Sequence, residues 1–468
     1  MAMPLSKENL ELVFKAYDIR GETPNQLNEP FFQTLGHAFV AYIGAKKIVV
    51  GRDIRTDSPK FQQAFIRGVL SAGCNVIDIG ETATEQLYFA VGDDLTIDGG
   101  AIITASHNPS GWNGCKMIGK GGTPIGGDTG LTEIKKLMLN LEKPPLTVTP
   151  GKIIIKDIYP AFKQKVLSFI GNTKIKPLKI VVDAGNGIGG KLFDYIFEDL
   201  PLKITRLYFE PDGTFPNHIP DPFKEENVAE IKKKTVELSA DIGIAIDGDS
   251  DRVFFIDNKG RRPSGAYTGA IMSQYFLKNH PGEKIIHCPR LKWVLTEVIR
   301  RAGGIPIISK VGHANFKQKM REVDAIFAPE TSAHFFYKDF YYCDSGMITI
   351  ALMLKLLSEG LDFDKQLDYI YTTYPNSGEV NYIVKNVSAE LSKVENIFIN
   401  EGYTVDLIDG ISVDLDDWRF NLRGSNTQPL LRLNVEGKTK KAVIKGFRRI
   451  EKLISGTRDN IPELSELQ

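Results

Sequence analysis

A degenerate internal repeat constrains the fold of this chain more than any other feature. Each of its three copies contains three short apolar strands, with helix-like segments between them, and the first strand of each copy begins with a lysine. The strands lie at 47–52, 74–79 and 101–104, at 179–184, 202–207 and 242–246, and at 284–289, 304–308 and 325–328. Strands that alternate with helices are typical of βαβ units, so we expect three related α/β domains with mixed sheets.

The pattern changes after about residue 370. Residues 414–422 and 430–436 alternate between apolar and polar side chains, as half-buried antiparallel strands do, and an amphipathic helix is predicted from Lys441 onward. We therefore expect a separate C-terminal α+β domain.

Length and charge limit the classes of protein to consider. At 468 residues the chain is too long for one ordinary core. Lysine plus arginine equals aspartate plus glutamate, at 58 each, which gives no global attraction to nucleic acid or to anionic membranes. We see no apolar run of membrane-spanning length and no secretory signal, and four scattered cysteines fit a reducing compartment, so we expect a cytoplasmic protein.

A serine ends the third strand of the first copy. Residues 102–109 read IITASHNP, which places Ser106 at the end of a buried strand beside an Asn-Pro turn. A hydroxyl in this position suits a displayed nucleophile or phosphate carrier, and an ordinary loop is the alternative.

Three carboxylates follow the third strand of the second copy. Asp247, Asp249 and Asp251 occupy alternate positions in DGDSDR, and such density favours a hard cation, with Mg²⁺ the natural occupant. An EF-hand needs a glutamate at position twelve, where this chain has Asn258. A solvated acidic turn remains the alternative.

Two further loops admit more than one interpretation. Residues 423–428, RGSNTQ, lie between the two C-terminal strands and form either a plain hairpin turn or a cluster of donors. Residues 183–189, DAGNGIG, lack the spacing of a dinucleotide fingerprint, so we expect a tight turn followed by a closely packed helix.

Four ordered motifs identify a family resemblance. Residues 104–109 (TASHNP), 247–252 (DGDSDR), 330–334 (ETSAH) and 423–427 (RGSNT) resemble the α-D-phosphohexomutase superfamily. The opening FKAYDIRG at 14–21 is similar to its bacterial phosphomannomutase/phosphoglucomutase branch. The resemblance implies four domains around a central cleft, which we place at 1–150, 151–258, 259–370 and 371–468.

The resemblance also implies a role for each loop. Ser106 would carry a phosphoryl group and, with Asp247, Asp249 and Asp251, hold Mg²⁺. Lys116 and Arg20 would be catalytic, and we expect a depressed pKa for Lys116 beside other cations, a phosphate-pairing charge being the alternative. The expected substrate-binding residues are Tyr17, His107, Arg252, Arg290, His313, Lys317, Glu330, Ser332, His334, Arg423, Ser425, Asn426 and Thr427.

One departure from the family pattern concerns the third loop. The family reads Gly-Glu-x-Ser-Gly-His there, whereas Pro329 and Ala333 stand at the two glycine positions. The backbone loses conformational freedom at both, which bears on the choice of sugar and not on the class of reaction.

The function that the resemblance implies is a hexose-phosphate mutase. It would interconvert the 1- and 6-phosphates of mannose or glucose through a phosphoserine and a hexose 1,6-bisphosphate, as a monomer or weak oligomer with small phosphosugars as partners. The alternatives are phosphoglucosamine mutase, a Mg²⁺-dependent sugar phosphatase and a non-catalytic sugar-phosphate sensor. The resemblance implies that the loop at 423–427 binds the substrate phosphate that is not reacting, which a phosphatase does not need. The intact Ser106 and aspartates argue against a sensor.

Overall fold

The computed structural model describes residues 5–141, 150–425, 430–460, 462 and 464. The chain separates into two compact units. The first comprises Met1–Pro263 and Ser332–Asp362, and the second comprises Ser264–Thr331 and Phe363–Gln468.

The helices and strands of the described residues follow in chain order. The helices are α1 (Lys7–Val13), α2 (Glu29–Ile43), α3 (Ser58–Ser71), α4 (Thr84–Asp93), α5 (Leu131–Asn140), α6 (Tyr159–Ser168), α7 (Gly189–Phe197), α8 (Ala229–Glu237), α9 (Gly265–Asn279), α10 (Lys292–Arg301), α11 (His313–Val323), α12 (Gly346–Ser358), α13 (Phe363–Thr373), α14 (Val387–Asn400) and α15 (Lys440–Leu453). The strands are β1 (Ile19–Glu22), β2 (Lys47–Arg52), β3 (Asn75–Glu81), β4 (Gly99–Ile103), β5 (Trp112–Gly119), β6 (Ile153–Ile155), β7 (Lys179–Asp183), β8 (Lys203–Leu207), β9 (Ile242–Ile246), β10 (Val253–Ile256), β11 (Lys284–His287), β12 (Ile305–Ile308), β13 (Phe327–Pro329), β14 (Phe335–Tyr337), β15 (Cys343–Asp344), β16 (Asn376–Val384), β17 (Ile411–Asp414), β18 (Trp418–Gly424), β19 (Leu430–Gly437) and β20 (Gly456–Arg458).

The first unit contains two sheets with a shared plan. The first has the strand order β1-β5-β4-β2-β3-β6, in which β4, β2, β3 and β6 are parallel and β5 is antiparallel to β4. The second has the order β10-β9-β7-β8, with β10 antiparallel to β9 and the others parallel. The run β5-β4-β2-β3 thus has the same order and directions as β10-β9-β7-β8.

The second unit repeats the parallel part of this plan. Its strands β13 and β12 flank β11, and both are parallel to it. The order of the third, first and second strands of each repeat copy is therefore the same in all three. Because ligands bind beyond the carboxyl ends of parallel strands, the residues that follow β4, β9 and β13 occupy the expected position for a site.

The C-terminal part of the second unit is an antiparallel sheet with helices. Its order is β17-β18-β19-β16-β20, and every neighbouring pair is antiparallel. The core of this domain includes Trp418, Phe420 and Phe447, which come from two of its elements, β18 and α15. Helix α15 begins at Lys440, one residue before the predicted start.

The predicted fold class is confirmed in its composition of three related α/β domains and one C-terminal α+β domain. Strand β6 follows the proposed boundary at residue 150 and pairs with β3 of the first sheet. Residues 183–189 form the expected turn, in which Gly185 and Asn186 have positive φ before α7 begins. Among the described helices, none combines the length and apolar character needed to cross a membrane.

Candidate active site

Ser106 lies in a tightly held loop directly after β4. Its backbone is left-handed, with φ of 50°, and its amide donates to Thr104 Oγ1 at 2.9 Å. The buried guanidinium of Arg55 donates to the carbonyl oxygens of Ser106 at 2.7 Å and Asn108 at 2.5 Å. It also donates to those of Pro109 at 2.8 Å and Trp112 at 3.1 Å. The side chain of Arg55, which lies outside the loop, therefore holds the loop in this conformation.

The Ser106 hydroxyl joins the serine loop to the aspartate loop. Its Oγ lies 3.1 Å from His107 Nδ1 and donates to Asp247 Oδ2 at 3.1 Å. Burial, together with the nearby Arg252 and Arg20, holds the pKa of His107 well below its usual value. His107 is therefore neutral at neutral pH, and its lowered pKa makes the ring a weak proton acceptor.

The three aspartates after β9 form a buried group of carboxylates. Asp247, Asp249 and Asp251 each offer an oxygen within 4.8 Å of the others. Burial and the two neighbouring carboxylates raise the pKa of Asp247 well above its usual value. Among the described residues, Asp249 Oδ1 is buried and accepts no hydrogen bond. An unsatisfied oxygen and mutual repulsion are the features that a cation would relieve, so the triad is able to hold a metal ion.

Lys116, on β5, neutralises part of this negative charge. Its Nζ lies 2.7 Å from Asp249 Oδ2 and also contacts Asp251 Oδ2. Burial lowers the pKa of Lys116, but Asp249 and Asp251 outweigh burial and raise it above its usual value. The expectation of a depressed pKa is therefore wrong. The fold brings Asp249 and Asp251, which are distant in sequence, into direct contact with Nζ, and their negative charge stabilises the ammonium form.

Arg20 lies in β1, and Tyr17 lies in the segment before that strand. Arg20 Nε donates to Asp18 Oδ2 at 2.9 Å, and Nη1 donates to Asn108 Oδ1 at 2.7 Å. Arg20 therefore contacts the serine loop, as a residue near the reacting group would. Tyr17 is half-buried in the segment before β1.

Arg252 and His334 complete the side-chain cluster of the first unit. Arg252 donates from its amide to Asp247 Oδ1 at 3.1 Å and from Nε to His334 Nε2 at 3.1 Å. The opposite ring nitrogen of His334 lies 3.0 Å from Ser332 Oγ. Ser332 and His334, two of the expected substrate-binding residues, are thus held beside the aspartate loop by hydrogen bonds.

The departures from the family pattern at Pro329 and Ala333 have visible consequences. Ala333 adopts φ of 65°, a left-handed conformation that costs a non-glycine residue about 1–2 kcal/mol. Pro329 packs on Gly269 of α9, where a Cβ would lie 2.1 Å from the proline Cβ. The backbone of this loop therefore keeps a glycine-like conformation at Ala333 although the glycine is absent.

Glu330 directly follows β13, and Arg290, His313 and Lys317 follow the other two parallel strands of the second unit. Glu330 Oε1 accepts from the amide of Gly312 at 2.9 Å, directly before α11. His313 begins α11, and Lys317, one turn later, is buried. Arg290 precedes α10 and is buried as well.

A cluster of arginines surrounds one buried carboxylate in the second unit. Glu379 Oε2 lies 3.2 Å from Arg423 Nη2 and 3.6 Å from Arg290 Nη1, and its Oε1 lies 3.1 Å from Arg432 Nη1. The arginines outweigh burial and lower the pKa of Glu379 to about 2. Burial and the neighbouring Arg290 lower the pKa of Arg423 to about 10. Asp409 Oδ2 also lies 3.9 Å from Arg423 Nε, so three guanidinium groups face two carboxyl groups and positive charge is in excess. Arg432 Nη2 donates to Ser425 Oγ at 3.2 Å.

Several residues of these clusters were not found from the sequence. Arg55, Glu85, Glu379 and Arg432 belong to none of the motifs, although one signal was available for the arginines. Arg423 and Arg432 are direct cross-strand partners, and two like charges in that position are unfavourable without an anion between them. Aligning the two predicted C-terminal strands as neighbours would have placed these arginines opposite each other, and it would have indicated an anionic group between them. Asn426 and Thr427 lie outside the described residues.

The four cysteines are free and buried. Burial, with Asp18 nearby, raises the pKa of Cys115 above its usual value, which disfavours a thiolate. A catalytic cysteine is therefore not supported.

Comparison with known proteins finds one family along the chain. Four models of the phosphoglucomutase/phosphomannomutase family match, those of alpha/beta/alpha domain I at residues 11–144, domain II at 160–260, domain III at 264–374, and the C-terminal domain at 379–452. A phosphomannomutase of Salmonella montevideo is 42% identical over 432 residues, which cover 91% of this chain and 94% of the relative. A phosphomannomutase of Escherichia coli K12 is 41% identical over 435 residues, with 91% and 94% covered.

The fold is also that of a solved structure. A phosphoglucomutase/phosphomannomutase family protein of Burkholderia thailandensis superposes with a TM-score of 0.86 at 31% identity. The match covers 96% of this chain and 99% of that protein.

Proposed function

This chain belongs to the phosphoglucomutase/phosphomannomutase family and is a hexose-phosphate mutase, and we propose that Ser106 carries the phosphoryl group that it transfers. The observation that carries this proposal is the contact between Ser106 Oγ and Asp247 Oδ2, at 3.1 Å. It places the hydroxyl beside a group of carboxylates that is able to hold a cation. A phosphoryl group on that oxygen would lie between the cation and the surrounding basic residues.

We propose Mg²⁺ as the cation, held by Asp247, Asp249, Asp251 and an oxygen on Ser106. Oxygen ligands and completion of the shell by phosphate or water are typical of Mg²⁺. When bound, it would neutralise charge on the phosphoryl oxygens and on the serine oxygen as that oxygen leaves. The unsatisfied Asp249 Oδ1 supports this assignment, because a cation would provide its missing partner.

The basic residues around Ser106 would bind and orient the phosphoryl group. Lys116 would act as a phosphate-pairing charge, since its raised pKa favours that role over proton removal. Arg20, which donates to Asn108 in the serine loop, would add a second cation. His107, whose Nδ1 lies 3.1 Å from Ser106 Oγ, would form a hydrogen bond with the serine oxygen and so orient it.

We propose that the arginine cluster of the second unit binds the phosphate that is not reacting. Arg290, Arg423 and Arg432 converge on Glu379, and these guanidinium groups outnumber the two nearby carboxyl groups, which suits an added anion. Guanidinium groups bind phosphate with paired hydrogen bonds and without a closely fitted pocket. Such a site can accept either end of a hexose bisphosphate, as a mutase requires.

The reaction cycle follows from these assignments. Phosphorylated Ser106 transfers its phosphoryl group to the free hydroxyl of a hexose phosphate: the bond from phosphorus to the serine oxygen breaks and a bond from phosphorus to the sugar oxygen forms. The proton released by the sugar hydroxyl neutralises the departing serine oxygen. The resulting hexose 1,6-bisphosphate reorients and returns its other phosphoryl group to Ser106. Small phosphosugars are thus the proposed partners and the bisphosphate the proposed intermediate and activator. A cytoplasmic location and a monomeric or weakly associated state stay predictions.

The experiment that tests the proposal follows the phosphorus nucleus. Protein and Mg²⁺ are incubated with mannose 1-phosphate, glucose 1-phosphate or glucosamine 1-phosphate, and ³¹P NMR monitors the products. We expect the 6-phosphate of mannose or glucose. Preferred conversion of glucosamine 1-phosphate would instead favour phosphoglucosamine mutase, and inorganic phosphate without isomer would contradict a mutase.

A further inference from the structure

The first turn of α4 contacts the aspartate loop through two neighbouring residues. Thr84 Oγ1 donates to Asp249 Oδ2 at 2.6 Å, and the Thr84 amide donates to the Asp249 carbonyl oxygen at 3.1 Å. Lys116 donates to the same Oδ2 at 2.7 Å. With one carboxylate oxygen bound twice, the Asp249 side chain is held in one orientation, and its Oδ1 is the oxygen left for a cation.

Glu85, the next residue, binds the middle of the same loop. Its side chain is fully buried, and Oε1 accepts from Ser250 Oγ at 3.0 Å. Its other oxygen accepts from Ser345 Oγ and from the Met347 amide at 3.1 Å, both at the start of α12. Glu85 makes no ion pair among the described residues, and burial raises its pKa to about 8. Its carboxyl group therefore acts through the hydrogen bonds that join α12 to the aspartate loop.

Ser250 needs such a partner because its backbone is unfavourable. Its φ is 67°, in the left-handed region that costs residues other than glycine about 1–2 kcal/mol. Ser250 also separates Asp249 from Asp251, so its conformation sets the angle between two of the three carboxylates. A strained residue persists only where its surroundings hold it.

We propose that Glu85 is a positioning residue for the cation site: through Ser250 it fixes the left-handed turn that directs Asp249 and Asp251 toward the same cation. The inference rests on the proposed function, which places a divalent cation on these aspartates. Glu85 touches no reacting atom in this assignment. Its effect is on the free energy of metal binding, because a loop held in the binding conformation avoids the cost of ordering it.

The test measures metal binding directly, without substrate. Mn²⁺ is added to the full-length protein, with the phosphorylation state matched by intact mass, and electron paramagnetic resonance measures the free ion. For Glu85→Gln we expect the dissociation constant to rise about 10- to 100-fold, the range typical of groups that orient metal ligands. Ser250→Ala removes only the loop hydroxyl that donates to Glu85. For this variant we expect the dissociation constant for Mn²⁺ to rise about 10-fold.

Ser345→Ala is the matched control. This variant also removes one hydroxyl that donates to Glu85, but the hydroxyl lies at the start of α12 and not in the aspartate loop. The Met347 amide still donates to the same oxygen, Glu85 Oε2. Because Ser345 caps α12, we expect a lower melting temperature with Mn²⁺ affinity within about twofold of wild type. Unchanged affinity in both Glu85→Gln and Ser250→Ala, or equal losses in Ser250→Ala and Ser345→Ala, would overturn the inference. Absence of Mn²⁺ binding by the wild type would instead contradict the proposed cation site.

Discussion

At the scale of single residues, the loop that carries the Ser106 hydroxyl is held by a side chain from another segment. The Ser106 loop turns through a left-handed residue and contributes carbonyl oxygens to the guanidinium of Arg55. That guanidinium is oriented in turn by Asp53, whose Oδ2 lies 3.2 Å from Nε. The planar, multiple donor geometry of arginine is what allows one side chain to hold several carbonyl groups.

We predict that Arg55→Lys lowers kcat by about 10- to 100-fold, because small displacements of a reacting group are costly. An ammonium group has a single nitrogen and cannot reach the four carbonyl oxygens that the guanidinium contacts. Steady-state kinetics with saturating Mg²⁺ measure the effect. Arg67→Lys, on the exposed face of α3, is the control and should remain within about twofold of wild type. Wild-type kcat in Arg55→Lys would show that the loop holds its conformation without this residue.

At the scale of elements, two glycines allow helices α2 and α3 to pack closely against each other. Helices α2 and α3 pack so closely that a Cβ at Gly68 would lie 1.9 Å from the Gln33 carbonyl oxygen. On the other helix, a Cβ at Gly36 would lie 2.2 Å from the Phe65 carbonyl oxygen. Both clashes are with backbone, which cannot rotate away as a side chain can.

We predict that Gly68→Ala destabilises the first unit by about 1–3 kcal/mol, since the helices must separate. The gain in helix propensity, about 1 kcal/mol, offsets only part of the loss. Denaturant unfolding measures the difference, with Gln63→Ala at an exposed position of α3 as the control for propensity alone. A midpoint for Gly68→Ala equal to that of Gln63→Ala would mean that the helices adjust without cost.

The elements themselves were largely predictable from the sequence, and the contacts between them were not. Apolar runs identified strands such as β2, β7 and β9, and they placed Ser106 and the aspartates at strand ends. Glu85 and Glu379 were missed because a buried carboxylate carries no local pattern, and its role depends on partners distant in sequence. The same distance explains the incorrect expectation for Lys116, whose pKa depends on carboxylates more than 130 residues away.

At the scale of the whole molecule, buried charge ties stability to pH. Glu379 binds Arg290 from the α/β part of the second unit and Arg423 and Arg432 from its C-terminal sheet. Its pKa falls from 4.5 to about 2, so deprotonated Glu379 stabilises the fold fully above pH 4.5. That stabilisation is lost as the pH falls from about 4.5 to about 2.

We predict that Glu379→Gln lowers the free energy of unfolding at neutral pH by on the order of 3 kcal/mol, the value that corresponds to this pKa shift. The difference from wild type should shrink as the pH falls below about 4.5, because both side chains are then uncharged. Unfolding curves at a series of pH values measure it, with Asp416→Asn at an exposed position as control. A difference independent of pH would contradict the stabilising role of the ionised carboxylate.

The central claim is that Ser106 carries the phosphoryl group during hexose-phosphate isomerisation, and one rate tests it. Conversion of mannose 1-phosphate to mannose 6-phosphate is measured for wild type and for Ser106→Ala, at saturating Mg²⁺ and with catalytic hexose 1,6-bisphosphate. We predict a loss of at least about 1000-fold in the variant, because no other group occupies the position of the transferring oxygen. A Ser106→Ala rate equal to that of wild type would contradict the phosphoserine mechanism.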